Sequence, residues 1–73
     1  MALEAKIKRV GVERVVLEQY PEGIYVFVFE QPDSPHPYRD YLQDNWEMAK
    51  GFCQDEYGID AGSWTEIPNP KLR

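Results

Sequence analysis

A single cysteine, Cys53, denies this chain an internal disulfide, and a single histidine, His36, leaves no Cys/His cluster for a structural zinc. No apolar stretch approaches the ~20 residues that a membrane-spanning helix needs. No basic start leads into an apolar run, so no signal peptide is expected. A lone thiol fits a reducing cytoplasm better than a secreted scaffold, which makes the cytoplasm the expected location. Basic residues are scarce as well: eight stand against thirteen acidic ones, a formal net charge of -5. Residues 18–67 hold two basic side chains, Arg39 and Lys50, and eleven carboxylates. An acidic body repels phosphate backbones, so nucleic acid is not an expected partner. With 73 residues, folding buries only about 60% of the unfolded chain's surface, and stability must come from good packing or from association.

What the chain does have is a greasy centre. Ile24-Tyr25-Val26-Phe27-Val28-Phe29 is all β-branched or aromatic, bounded by Gly23 and by Glu30-Gln31-Pro32, and reads as a strand covered on both faces. Upstream, the run from Lys6 to Leu17 alternates but slips phase between Ile7 and Val10, with Gly11 inside it. A strand with a bulge at Gly11 is the simplest account. Tyr20-Pro21-Glu22-Gly23 is a turn, and pairing Tyr20 with Ile24 sets Leu17 opposite Phe27, Val16 opposite Val28 and Arg14 opposite Glu30, an opposite-charge pair. This register gathers Val15, Leu17, Tyr25, Phe27 and Phe29 on one face. Val16, Ile24, Val26 and Val28 share the other, with Val10 and Val12 further along.

Three prolines, Pro32, Pro35 and Pro37, make the next segment a loop. Residues 38–42 favour a short third strand. Asp44 with Glu47 has the pattern of a capping box, and Gly58 with Ile59 that of a left-handed helix stop. Between them Trp46, Ala49, Cys53 and Tyr57 mark one helical face, widened by Met48 and Phe52. Residues 63–67 are a candidate last strand. The expected fold is α+β: a small antiparallel sheet, made of a hairpin, a short third strand and a candidate C-terminal one, with one helix packed on one face. The domain is single (1–73), with a core over 6–67 and fraying at 1–5 and 68–73.

Ala49, Cys53 and Glu56-Tyr57-Gly58-Ile59, followed by Trp64, resemble a group of small uncharacterised bacterial proteins. In these a short sheet precedes an Ala-rich helix that ends in Glu, an aromatic, Gly and an aliphatic residue, with a Trp soon after. The resemblance covers roughly the last third of the chain. It implies a strand before the helix and brings no activity with it.

Nothing in the residue pattern calls for a cofactor or a metal. His36 lies near Asp33 and Ser34, but three such residues in one proline loop lack the rigid frame and oxyanion hole of a triad, so a solvated histidine and no enzyme is expected. Cys53, on the apolar stripe and away from a helix N-terminus, reads as a small inert core residue. Asp55, Glu56 and Asp60 lack the ligand spacing of a calcium loop. Lys6, Lys8, Arg9 and Arg14 interleave with too few aromatics for an RNA-reading sheet. Glu56 falls by helical phase within the apolar arc, which predicts a buried acid paired with the Trp64 indole, Arg14 or Arg39. The helix is expected to cover the aromatic face, leaving Val16, Ile24, Val26 and Val28 as an interaction face. The functional expectation is a non-enzymatic interaction or regulatory module, binding an unknown protein or a second copy of itself as a homodimer. The competing classes are a nucleic-acid-associated protein using the basic first strand and a cryptic small enzyme around His36.

Overall fold

The computed structural model describes residues 1–9, 11–31 and 34–72. Five strands, β1 (Ala2–Arg9), β2 (Val12–Tyr20), β3 (Gly23–Phe29), β4 (Arg39–Gln43) and β5 (Thr65–Ile67), make one antiparallel sheet in the order β4-β3-β2-β1-β5. One helix, α1 (Trp46–Tyr57), packs on one face, so the small α+β fold is as expected. No helix among the described residues is long and apolar enough to cross a membrane.

The first strands differ from expectation. The run from Lys6 to Leu17 is two strands, and Gly11 stands between them in a turn at φ 84°, a left-handed conformation that favours glycine. The phase slip is a register shift between Lys6 and Arg9 in β1. Val10 lies outside the described residues. Residues 2–5, expected to fray, belong to β1, with Ala2, Leu3 and Ala5 buried. β1 has β2 on one side and β5 on the other, so its main chain is held whatever its weak strand propensity.

The β2–β3 hairpin exists, but its register is one residue away from the expected one. Tyr20 pairs with Gly23, Leu17 with Val26, Val16 with Phe27 and Arg14 with Phe29, around the two-residue loop Pro21-Glu22. Gly23 belongs to the strand at φ 146°, and a Cβ there would strike the carbonyl oxygen of Gln43 at the end of β4. Because side chains alternate with period two, this slip moves every β2 side chain to the opposite face relative to β3. Val15 and Leu17 therefore join Ile24, Val26 and Val28, while Arg14, Val16 and Glu18 join Tyr25, Phe27 and Phe29.

The helix starts one residue later than the capping-box pattern implied. Asn45, not Asp44, is the N-cap, and its Oδ1 accepts the Met48 N–H at 2.9 Å. The C-terminal stop is as read. Gly58 is left-handed at φ 68°, its N–H reaches the last-turn carbonyls, and Ile59 is buried behind it. Ala49 and Cys53 are the fully buried helix residues, and their small size lets α1 sit close on the aliphatic face of Val15, Leu17, Ile24, Val26 and Val28. Trp46, Phe52, Tyr57 and Trp64 border that core.

Candidate functional site

The helix thus covers the aliphatic face, and the expected interaction face does not exist as such. Ile24, Val26 and Val28 are buried under α1, and Val16 lies on the other side of the sheet. The face left without a helix is the aromatic one. It fills itself to a large extent: the rings of Tyr25 and Phe27 stack at 5.8 Å, Tyr20 meets Tyr25 edge-on at 5.3 Å, and the Arg14 guanidinium lies 4.0 Å from the centre of the Phe29 ring. Arg14 also pairs with Glu4 at 3.2 Å across β1 and β2, in place of the pair expected with Glu30. Its side chain is thus engaged within the fold, which takes one cation from the basic strand that a nucleic acid would need.

Residues 68–72, expected to fray, close this face as a strap. Glu18 is the buried charged residue at its centre, with 2% of its surface exposed. Its Oε2 accepts the Lys71 N–H at 2.9 Å and its Oε1 the Leu72 N–H at 3.1 Å, and the Tyr20 hydroxyl donates to Oε1 at 2.8 Å. Lys71 has φ 53°, a left-handed turn of the main chain beside the two successive N–H groups that meet the carboxylate. Leu72 packs with Tyr20 and Ile67 against Val16, Tyr25, Phe27 and Phe29. A buried carboxylate is costly unless it is hydrogen-bonded, and here both oxygens are. With both faces covered, the chain exposes 4700 Å², against roughly 4,700 Å² from surface scaling for a compact 8.6 kDa monomer.

The second feature is the open edge of the sheet. β4 pairs with β3 alone among the described strands. Among the described residues, three of the four exposed large apolar side chains lie at or next to this edge or on the helix that follows it: Tyr38 before β4, Leu42 in it and Met48 on α1, each 48% exposed. An aromatic seam runs behind them. Arg39 donates to the Tyr41 hydroxyl at 3.0 Å, Tyr41 packs on Phe52 at 4.7 Å between ring centres, and Phe52 meets Tyr57 at 6.3 Å. Burial pushes the Tyr57 hydroxyl's pKa up, helped by its hydrogen bond with Tyr41.

Glu56 is exposed on α1 rather than buried, and the Trp64 Nε1 expected to meet it is buried with no hydrogen-bond partner among the described residues. Glu56 stands seven residues after Ala49, on the same side of α1, but in its last turn, and there it is exposed while Ala49 and Cys53 meet the sheet. Cys53 is buried, and burial alone pushes its thiol up to about 12, which keeps it protonated and unreactive. His36 is exposed, and the Ser34 hydroxyl donates to its carbonyl oxygen at 2.9 Å, a turn contact within the loop. Asp33 lies outside the described residues. Among the described residues there is no cavity and no group of three metal-ligating side chains.

No family model, curated protein or solved structure matches this chain.

Sequence reasoning missed the Glu18 strap. Its signal was present, because Val16, Glu18 and Tyr20 share one strand face, and a carboxylate between two apolar neighbours asks for a partner. The partner stands more than fifty residues away along the chain, which no local pattern reveals.

Proposed function

We propose that this protein is a non-enzymatic interaction module that docks through the edge of β4, with a second copy of the chain as its partner. The observation that carries the reading is a strand whose outer side has no partner strand among the described residues, with exposed Leu42 on it, on the sheet face opposite α1, and exposed Tyr38 just before it. Free strand edges recruit other strands, and exposed apolar side chains beside one add area to the junction.

The residues of β4 also favour one symmetric pairing. An antiparallel join about a two-fold axis keeps each sheet face on its own side, so the axis passes through a residue. Through Tyr41, it sets Tyr41 against its twin, Arg39 against Gln43 and Asp40 against Leu42, with no like charges opposed. Through Asp40 it would oppose that carboxylate to itself, and through Leu42 it would oppose Asp40 to Asp44.

Sedimentation across a dilution series from micromolar to millimolar tests this. The native chain is expected to dimerise, Leu42→Asp to stay monomeric because it faces Asp40 twice, and Leu42→Lys to retain or tighten the dimer. A native chain that is monomeric throughout, or equal behaviour of the two variants, would overturn the reading.

A further inference from the structure

The segment that closes the aromatic face of the sheet is held, among the described residues, by its main chain at one side chain, Glu18, and by the packing of Leu72. Among the described residues, the main chain of residues 68–72 makes no hydrogen bond beyond the two to Glu18. Its packed side chain is Leu72, while Pro68, Asn69, Pro70 and Lys71 are exposed. The strap leaves from β5, which is only three residues long. The receiving side, by contrast, is built from β2 and β3 in the middle of the sheet and does not depend on the strap for its geometry.

We propose that the groove formed by Val16, Glu18, Tyr20, Tyr25 and Phe27 is a peptide-binding site that the chain occupies with its own residues 68–72. The ligand it takes from outside is a segment of the same chemistry: extended, proline-flanked, turning through one left-handed residue, with an aliphatic side chain next. Two features of the groove define that class. Glu18 reads main-chain N–H groups, so it accepts any sequence that can present two in succession. The rings and Val16 accept the one aliphatic anchor. A vacant groove would expose Val16, Tyr25 and Phe27 to water and exchange the two main-chain donors on Glu18 for water, so a segment that restores both the donors and the aliphatic anchor can take the strap's place. The internal strap therefore competes with the external peptide and sets the apparent affinity. This inference rests on the second sheet face and is independent of the β4 edge.

The test uses the full chain and a capped synthetic peptide of residues 68–73, Pro-Asn-Pro-Lys-Leu-Arg. Lys71→Pro removes one donor and forbids the left-handed turn, and Leu72→Asp removes the anchor; each opens the groove by a different route. Titration is followed by the NMR signals of Val16, Tyr25 and Phe27. Saturable shifts are expected in both variants, with binding to the native chain roughly tenfold weaker or more, because its site is mostly occupied. The shifts are expected to vanish when Glu18→Leu is added to the Leu72→Asp chain, or when the peptide carries Asp in place of its Leu. No shift in either opened variant, equal binding by the native chain, or unfolding of both variants without the strap would overturn the proposal.

Discussion

Glu18 in β2 and Leu72 beyond β5 lie fifty-four positions apart in sequence, and the carboxylate of the first accepts the main-chain N–H of the second at 3.1 Å. With Lys71 on the other oxygen, this contact turns an open apolar sheet face into a covered one. Glu18→Ala removes the acceptor for two main-chain donors and the Tyr20 hydroxyl, and is expected to cost about 2–3 kcal/mol in urea denaturation. Glu18→Gln keeps one acceptor oxygen and should cost less.

Gly23 and Gly11 form a controlled pair. Both have positive φ, but a Cβ at Gly23 strikes the Gln43 carbonyl, whereas one at Gly11 meets open space. Gly11→Ala is expected to cost about 1 kcal/mol from backbone strain, and Gly23→Ala about 2–4 kcal/mol with loosening of β4. Thermal melts of the two variants would show the difference.

Val26 is fully buried against the helix. Val26→Lys is expected to abolish folding, seen by circular dichroism, because an unpaired ammonium would be enclosed there. A folded, soluble Val26→Lys chain would mean that this face is open.

Alkaline pH should weaken the fold. Burial raises the Cys53 thiol from 9.0 to about 12, and burial with the Tyr41 hydrogen bond raises Tyr57 above its usual value of 10.0. The folded chain therefore keeps protons that the unfolded chain releases, so stability is intact below about pH 9 and is lost progressively as pH rises toward 12. Denaturation midpoints measured between these limits should fall, and Cys53→Ala should flatten the part of the slope that belongs to the thiol.

Much of the fold was legible because its signals are local. The apolar run in β3, the turn before it, the proline loop, the short β4, the helical stripe and the Gly58 stop each sit within a few residues of one another. The errors arose where local rules left two answers. Pro21, Glu22 and Gly23 suit a two- or a three-residue loop, and a plausible Arg14–Glu30 pair favoured the longer one. The structure uses Arg14 on Glu4 and Phe29 instead. That single residue of register decided which face met the helix, and so the whole assignment of an interaction face. Residues 2–5 and 68–72 were invisible because their order comes from β5, β2 and Glu18, far away in sequence.

Amide hydrogen exchange at Lys71 and Leu72 tests most directly whether one chain shields both sides of its sheet. In dilute native protein these two N–H groups should exchange well below the rate of an unstructured peptide, and in Glu18→Ala they should exchange at that rate while the amides of β2 and β3 stay protected. Free exchange at both positions in the native chain would show that the strap is not held and that the aromatic face is open to solvent.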